Sequence, residues 1–344
     1  MPKTAVILFN LGGPDKLESV KPFLFNLFND RAIINLPQPF RFMLAKLISG
    51  IRNPKAKKIY ESIGGRSPLL SFTNSQAYAL EHELSFSGDF KVFISMRYWN
   101  PMACEVIKEL KSYAPDQVIL LPLYPQFSSA TSNSSLEDFA SRLPSEIKAK
   151  VICCYPSDSS FIAAHTNLIK QKISGQNFSE LRFLFSAHGL PQSLIDEGDP
   201  YVSHVEKSVA EIVKNFPAEM DFRICYQSKV GPKKWTSPNL EHELSRVVID
   251  KKTPVIVPIS FVADNSETLF ELDIQYKEFV ANLGLEKYLR VSTLNSSGIF
   301  IKGLAEICKN AANSNSGNIF CGKNPERICE KKFKFCPNKN YPQA

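Results

Sequence analysis

Short apolar segments recur along the chain and alternate with longer segments that have helical spacing. The apolar segments are rich in β-branched and aromatic residues, which is typical of strands that are buried on both faces. The eight predicted strands lie at residues 4–9, 90–95, 117–123, 150–154, 181–187, 221–226, 253–260 and 288–294. Because such alternation produces parallel sheets covered by helices, the pattern predicts an α/β protein.

The predicted strands divide into two sets of four, and the third strand of each set ends at a proline. Pro122 and Pro258 occupy these matching positions, and a proline cannot donate a hydrogen bond to a central ladder. We therefore predict two similar doubly wound lobes, each with a four-stranded parallel sheet, at residues 1–155 and 156–310. A ligand is expected in the crevice outside the carboxyl ends of the strands.

Residues 15–80 interrupt the alternation and carry two amphipathic helical stripes. The first stripe comprises Val20, Phe23, Leu24, Leu27 and Phe28, and the second comprises Phe40, Met43, Leu44, Leu47, Ile48 and Ile51. Two interpretations stay open: ordinary helices packed on the core, or a lip over the crevice. The apolar face of a lip would bind a flat hydrophobic ligand or touch a membrane.

The positive charge is concentrated at the start of the chain. Residues 1–60 contain ten Lys and Arg against three Asp and Glu, which accounts for the whole net charge of +7. This bias suits an acidic ligand or an anionic membrane surface, and a solvated basic face gives the same bias. No nucleic-acid-binding module is evident.

No apolar run reaches the roughly 20 residues that span a bilayer, and no export signal is evident. We therefore expect a cytoplasmic protein, in which eight cysteines indicate thiols or metal ligands before disulfides.

One histidine stands where a predicted buried strand ends. In FLFSAHGLP (183–191), His188 precedes a turn at the carboxyl end of the strand, where doubly wound folds keep reactive groups. The four other histidines, at positions 82, 165, 204 and 242, fall within helical patterns and are predicted to be surface or helix residues. A glycine-rich phosphate-binding loop and the GxSxG motif of hydrolases are both missing.

Carboxylates follow the matching strand of the second lobe. Asp264 precedes a predicted helix, on which Glu267 and Glu271 share one face. The first two could serve only as a helix cap and a favourable first-turn charge. A neutral imidazole facing carboxylates could also bind a divalent metal such as Fe²⁺ and accept protons. Aromatic residues at the other strand ends suggest a flat, anionic, aromatic ligand.

Seven motifs, in order, closely resemble those of ferrochelatases, the enzymes that insert ferrous iron into protoporphyrin to make haem. The motifs are NLGGP (10–14), YESIGGRSPL (60–69), MRYWNP (96–101), PLYPQFS (122–128), FSAHGLP (185–191), YQSKVGP (226–232) and FVADNSETLFELDIQY (261–276). The resemblance implies two flavodoxin-like lobes that hold protoporphyrin IX in the cleft between them, with Fe²⁺ as the second substrate.

The resemblance also implies roles for individual residues. His188 and Glu267 correspond to the catalytic pair that binds iron and accepts the pyrrole protons, and Asp264 and Glu271 are assigned to a proton or metal path. The implied substrate-binding residues are Leu11, Arg52, Tyr60, Arg97, Tyr98 and Trp235. The basic, amphipathic lip would meet the porphyrin propionates and the surface of an anionic membrane.

Two departures from the family pattern matter. Asn265 stands where many members have a second histidine, so a relay through that position would be altered or would use Asp264. Some members also hold a [2Fe–2S] cluster. The predicted tail, residues 311–344, offers Cys321, Cys329 and Cys336, but Ser129 occupies the internal ligand's position in the animal enzymes. Four thiolates are required, so the fourth ligand is unidentified, and free thiols on a flexible end are the other interpretation.

Two other functions remain open at this stage. Another tetrapyrrole chelatase would use coproporphyrin or insert cobalt, and a carrier protein would bind haem or metal without changing it. A row of carboxylates opposite His188 favours a chelatase over an inert carrier.

Overall fold

The computed structural model describes residues 2–339, in which helices and nine strands alternate. The strands are β1 (Thr4–Asn10), β2 (Phe90–Met96), β3 (Gln117–Pro122), β4 (Lys148–Cys154), β5 (Leu181–His188), β6 (Phe222–Gln227), β7 (Thr253–Pro258), β8 (Leu289–Arg290) and β9 (Ile319–Cys321). The α-helices are α1 (Val20–Phe28), α2 (Phe40–Ser62), α3 (Leu69–Ser85), α4 (Ala103–Tyr113), α5 (Ser134–Ala140), α6 (Ser159–Lys172), α7 (Gln192–Asp196), α8 (Tyr201–Val213), α9 (Leu240–Ile249), α10 (Tyr276–Asn282) and α11 (Gly298–Asn313). Short 3₁₀ turns lie at Leu17–Ser19 and Phe178–Glu180, and π-helices at Ser129–Asn133 and Glu267–Gln275.

The strands form two sheets in which all neighbouring strands are parallel. The first sheet has the order β2-β1-β3-β4-β9, and the second has the order β6-β5-β7-β8. All eight predicted strands are present, and β3 and β7 end at Pro122 and Pro258. The prediction of a two-lobed, doubly wound α/β fold is confirmed.

The first sheet has a fifth strand that the sequence did not indicate. Strand β9 comes from the predicted tail and pairs in parallel with β4 at the edge of the sheet. Helix α11, which precedes it, packs against α3 of the first lobe and against α6. The described part of the tail is therefore a folded section of the first lobe and not a flexible end. Three residues of edge strand are too few to produce a readable pattern.

A single hydrophobic cluster joins the two lobes. It includes residues from strands of both sheets, among them Val6, Leu121, Phe183 and Val257, which are all buried. Hydrogen bonds also join the two lobes near the carboxyl ends of the strands. Gln76 on α3 donates hydrogen bonds to the carbonyls of Val262 and Asn295, both at 3.0 Å. The crevice thus lies between two lobes that share one core.

The two amphipathic stripes of the segment 15–80 have different environments. The α1 stripe packs through Val20, Phe23 and Leu24 against Tyr60 and Tyr98. The α2 stripe is exposed, and its exposed fractions are Phe40 65%, Met43 66%, Leu47 59% and Ile51 69%. Helix α1 is therefore an ordinary packed helix, whereas α2 packs against α1 but leaves most of its apolar stripe exposed, so the lip stays a prediction for α2. Within residues 2–339, no helix is both long enough and apolar enough to cross a bilayer.

Candidate active site

His188 is the last residue of β5, and its ring has a defined tautomer. Nδ1 lies 2.7 Å from the carbonyl oxygen of Gly189. Because a carbonyl only accepts hydrogen bonds, Nδ1 must carry the proton, and the lone pair of Nε2 is left available. The backbone of His188 is fixed as well. Its N–H donates to Ser260 Oγ at 3.1 Å, and its carbonyl accepts a hydrogen bond from Tyr201 at 3.0 Å.

Glu271 is a half-buried carboxylate in the same crevice, held by two donors. Ser228 Oγ donates to Glu271 Oε2 at 2.6 Å, and Gln227 Nε2 donates to the same oxygen at 2.9 Å. Burial is the main cause that raises the pKa of Glu271, and the charge of Glu267 acts in the same direction, while His188 lowers this pKa. The three side chains therefore form one electrostatic group, and a raised pKa favours a carboxyl that exchanges protons.

The segment that carries both glutamates is a π-helix. The N–H of Tyr276 donates to the carbonyl of Glu271, five residues earlier, as the wider turn requires. Glu267 lies one turn before Glu271 and accepts a hydrogen bond from Ser266 at 2.9 Å. Such wide turns are often found at functional sites.

Tyr60 connects the lip to this group. It lies near the end of α2, is buried, and burial followed by the charge of Glu267 raises its pKa. Helix α2 of the first lobe and the π-helix of the second lobe therefore meet beside the carboxylates. The two lobes contribute jointly to the site.

Asp264 and Asn265 have partners that explain their positions. The carboxylate of Asp264 accepts hydrogen bonds from Thr268 at 2.9 Å, from Arg290 at 3.1 Å and from Asn295 at 3.1 Å. Asn265 and Thr268 cap the π-helix reciprocally, since each backbone N–H donates to the side chain of the other at 3.0 Å. Asn265 thus acts as a helix cap, and both carboxylate oxygens of Asp264 are already engaged.

Arg97 and Tyr98 belong to a buried network around Asp30. The Arg97 guanidinium lies 2.8 Å from Asp30 Oδ2, and the Tyr98 hydroxyl donates to the same oxygen at 2.8 Å. Ser134 is a third donor to Asp30. Burial alone would raise the pKa of Asp30, but Ser134 and Arg97 lower it. Tyr98 is only 2% exposed, so the polar groups of both residues are directed at Asp30.

The remaining predicted substrate residues lie on both lobes. Leu11 packs on the cluster that contains Tyr60 and Tyr98, and the Arg52 guanidinium lies 5.5 Å from the Phe28 ring centroid. On the second lobe, the backbone of Trp235 forms an isolated antiparallel β-bridge with Pro191. The indole ring of Trp235 lies against Gly189, next to His188. The indole N–H is buried and has no hydrogen-bond partner among residues 2–339.

A second cluster of reactive groups lies at the end of β4. The Sγ atoms of Cys153, Cys154 and Cys321 all lie within 4.8 Å of one another, and all three residues are buried. Hydrogen bonds from the thiols of Cys153 and Cys154 lower the pKa of Cys321. The sequence indicates the three tail cysteines. Cys153 and Cys154 were not predicted, because only the position of Ser129 corresponds to the family's internal ligand.

The other two tail cysteines join the same site. A hydrogen bond from Cys329 and the charge of Arg327 lower the pKa of Cys336 to about 7, against the opposing effect of burial. Cys329 also interacts electrostatically with Cys321 and Cys153. Arg327 organises this loop through four hydrogen bonds, to the carbonyls of Cys329, Glu330, Phe333 and Asn338. Three buried thiols within 4.8 Å of one another, with two further thiols that interact electrostatically with them, are a donor set that suits a thiolate-ligated metal centre.

Ser129, at the position of the internal cluster ligand of the animal enzymes, forms hydrogen bonds in this chain. Its hydroxyl and its backbone N–H both donate to Asp199 Oδ2, at 2.8 and 2.7 Å. All eight cysteines are free thiols, and Cys104 is the only exposed one.

The four remaining histidines agree with the prediction of surface or helix residues, but two of them are buried. All four lie on helices, but His165 and His204 are buried, whereas His82 and His242 are exposed. Burial lowers the pKa of His165 to about 3. His204 Nε2 lies 3.1 Å from Cys329 Sγ, and burial together with Lys207 lowers the pKa of His204 to about 3. The partners of His204 come from distant segments, Phe127 and Cys329, which helical spacing cannot reveal.

Comparison with protein families gives one match across most of the chain. The ferrochelatase family profile matches residues 3–312. A ferrochelatase from Rickettsia bellii is 50% identical over 97% of this chain and 94% of its own length. A ferrochelatase from Pelagibacter ubique is 48% identical over 98% of this chain and 99% of its own.

Solved structures support the fold independently. SirB from Bacillus subtilis, determined with Fe³⁺, aligns with a TM-score of 0.54 over 90% of this chain and 96% of its own, at 14% identity. CbiX, described as the terminal enzyme of sirohaem biosynthesis in denitrifying bacteria, aligns with a TM-score of 0.50 over 90% of this chain and 99% of its own, at 13% identity. At these identities the likeness concerns the fold alone.

Proposed function

The chain belongs to the ferrochelatase family, and from that premise we propose that it inserts Fe²⁺ into protoporphyrin IX at a reaction centre formed by His188 and Glu267. As a member of that family it is a metal chelatase. The observation that carries the assignment is the His188 ring: Nδ1 is held by Gly189, and the lone pair of Nε2 is directed away from that contact, in the electrostatic neighbourhood of Glu271.

The reaction exchanges two pyrrole protons for one iron ion, so the site must remove protons while the metal loses its water. His188 Nε2 accepts the first proton, which an imidazole with a protonated Nδ1 can do without rearrangement. Glu267 supplies a carboxylate to the arriving Fe²⁺ and stabilises the imidazolium that forms. Both groups are mounted on regular elements, β5 and the π-helix, which fixes their positions.

Glu271 is the next proton acceptor in this proposal. Burial raises its pKa, which favours uptake of a proton, and Ser228 and Gln227 hold its oxygen in place. Asp264 was assigned to the same path by resemblance. Its hydrogen bonds with Arg290, Thr268 and Asn295 favour a structural role instead.

The porphyrin would occupy the crevice between Trp235 on one lobe and Leu11 and Tyr60 on the other. These apolar walls favour the less carboxylated protoporphyrin, and Arg52 lies on α2 within reach of solvent to meet a propionate. Arg97 and Tyr98 would act behind this wall, by holding Asp30 and Ser134 in place.

Anaerobic incubation with Fe²⁺ tests the substrate assignment. We expect the fluorescence of free protoporphyrin IX to disappear faster than that of coproporphyrin III at equal concentration. A preference for coproporphyrin III, or turnover with Co²⁺ but not Fe²⁺, would support another tetrapyrrole chelatase. No loss of fluorescence with either porphyrin and either metal would support a carrier.

We further propose that Cys153, Cys321, Cys329 and Cys336 hold a [2Fe–2S] cluster. Among the described residues, Cys153 is the internal cysteine that best completes the set. Its Sγ lies 3.5 Å from Cys321 Sγ, and it interacts electrostatically with Cys329 and Cys336. When bound, such a cluster supplies a one-electron redox centre, and it would fasten β9 and the tail to β4.

Visible absorption and the iron and sulfide content of protein purified under anaerobic conditions test the cluster assignment. We expect visible absorption of an iron–sulfur cluster and two irons with two sulfides per chain. Cys153→Ser should abolish both, whereas Cys154→Ser should retain them. Bound zinc without visible absorption, or a colourless metal-free protein, would overturn the assignment.

We also propose that the exposed stripe of α2 rests on an anionic membrane from the cytoplasmic side. The stripe exposes Phe40, Met43, Leu47 and Ile51, and the same helix carries Arg41, Lys46, Arg52, Lys55, Lys57 and Lys58. Apolar residues flanked by cations suit peripheral attachment to acidic lipid.

Co-sedimentation with vesicles tests the membrane contact. We expect binding to phosphatidylglycerol-containing vesicles and weaker binding to phosphatidylcholine vesicles. The triple variant Met43→Ser, Leu47→Ser, Ile51→Ser should lose this binding, and the control Ile249→Ser, which alters an exposed apolar residue on α9, should not. Equal binding by both variants would contradict the proposal.

A further inference from the structure

His204 lies between the body of the protein and the cysteine site. It is on α8, is 1% exposed, and each of its ring nitrogens faces one polar partner. The N–H of Phe127 donates to His204 Nδ1 at 3.2 Å. On the other side of the ring, His204 Nε2 lies 3.1 Å from Cys329 Sγ.

The first contact determines the direction of the second. A backbone N–H can only donate, so Nδ1 must be the unprotonated nitrogen of a neutral ring. Nε2 therefore carries the hydrogen, and the contact with Cys329 is an N–H···S hydrogen bond donated by the histidine. Because the tautomer is fixed by the backbone of Phe127, the donor is permanently directed at the sulfur.

We propose that His204 is a positioning residue of the cysteine site, in which its Nε2–H donates to the Cys329 thiolate and makes a cluster bound there easier to reduce. This inference rests on the proposed cluster and adds a residue that no cysteine pattern would reveal. A hydrogen bond to a coordinating sulfur stabilises negative charge on it, and reduction adds negative charge to the cluster.

The geometry also separates this role from that of a ligand. A histidine that binds metal uses an unprotonated nitrogen, and the only unprotonated nitrogen of His204 faces Phe127. The surroundings agree with a supporting role, since Phe127 packs with Cys153, Cys154 and Cys321 in one buried cluster. His204 thus connects the loop after β3 to the tail across the cysteine site.

The test compares the midpoint potential of the cluster in the full chain and in three variants. His204→Leu removes the donor, His204→Gln retains an amide donor, and His242→Leu alters an exposed histidine on α9 as the matched control. We expect a more negative potential for His204→Leu, a smaller shift for His204→Gln and no shift for His242→Leu. An unchanged potential in a folded, cluster-containing His204→Leu variant would overturn the proposal.

A measurement on the unaltered protein decides the question even where a variant does not fold. With histidine labelled by ¹⁵N, pulsed EPR of the reduced cluster should show one weakly coupled imidazole nitrogen. Strong coupling, as from a directly bound nitrogen, or no coupling at all would overturn the role of His204. Unaltered protein without any cluster would overturn the cluster itself and this role with it, which distinguishes the two failures.

Discussion

At the scale of single residues, environment separates side chains of the same type. His188 and His204 each have one nitrogen fixed by a backbone group, but in opposite senses. Gly189 accepts from Nδ1 of His188, whereas Phe127 donates to Nδ1 of His204. The first ring is left with a basic lone pair and the second with a donor, so one suits proton transfer and the other suits support of a sulfur ligand.

Glu271 and Asp264 form a matched pair for testing the proton path. Glu271→Gln should lower kcat about 100-fold, because the amide cannot take up a proton, while the fold is retained. Asp264→Asn should mainly lower Tm, since it removes the charge that pairs with Arg290. Steady-state kinetics and thermal unfolding of both variants check this. A lower kcat for Asp264→Asn together with a lower Tm for Glu271→Gln would instead assign Asp264 to the proton path.

Substitution of Arg97 tests whether the hydrogen-bond network around Asp30 is structural. Arg97→Ala leaves the carboxylate of Asp30, whose side chain is 7% exposed, without its cation. Breaking such a buried pair typically costs about 3 kcal/mol or more of unfolding free energy. Urea unfolding should show this loss, and the double variant with Asp30→Asn should recover part of it. Unaltered stability with a raised KM for porphyrin would instead favour direct contact with the substrate.

At the scale of elements, α8 connects the two reactive clusters. Its first residue, Tyr201, donates to the carbonyl of His188, and His204, one turn later, donates to Cys329. The same helix face therefore contacts the strand end that carries His188 and the loop that carries Cys329.

Tyr201→Phe isolates the first of these contacts. It removes one hydrogen bond, worth about 1 kcal/mol, from the backbone of His188 while the ring remains in place. We expect kcat to fall several-fold with KM for protoporphyrin unchanged. Tyr78→Phe, on the exposed surface of α3, serves as the control. A change confined to KM would show that Tyr201 does not position His188.

The elements also show how far the sequence could predict the fold. Strands buried on both faces are readable because continuous apolar runs are unusual elsewhere, and all eight were predicted. Strand β9 was missed because three residues carry no period. His188 and the glutamates were recognisable from their places at strand and helix ends. The partners of Asp264, Tyr98 and Cys153 depend on contacts between distant segments, which no local pattern encodes.

At the scale of the whole molecule, the buried histidines should make the fold sensitive to acid. Burial lowers the pKa of both His165 and His204 to about 3 in the folded protein, against about 6.5 in an unfolded chain. Above pH 6.5 both states are neutral. As the pH falls from 6.5 towards 3, only the unfolded chain binds these protons, so stability is lost across that window.

The magnitude follows from the same linkage. Each histidine should contribute a slope of about 1.4 kcal/mol per pH unit to the unfolding free energy between pH 6 and 4. Urea unfolding of His165→Leu should show a slope that is shallower by that amount, which separates this effect from the carboxyl groups that titrate nearby. Parallel slopes for the variant and the unaltered protein would contradict the buried, neutral state of His165.

The proposed reaction depends on the imidazole of His188. The most direct measurement is anaerobic metalation of protoporphyrin IX by His188→Ala, together with the affinity of that variant for porphyrin and the same assays on His242→Ala. We predict that His188→Ala binds porphyrin with an unchanged dissociation constant and shows no iron insertion above the uncatalysed rate, while His242→Ala is fully active. Iron insertion by His188→Ala at the rate of the unaltered protein would contradict the assignment of His188 as the proton acceptor of this site.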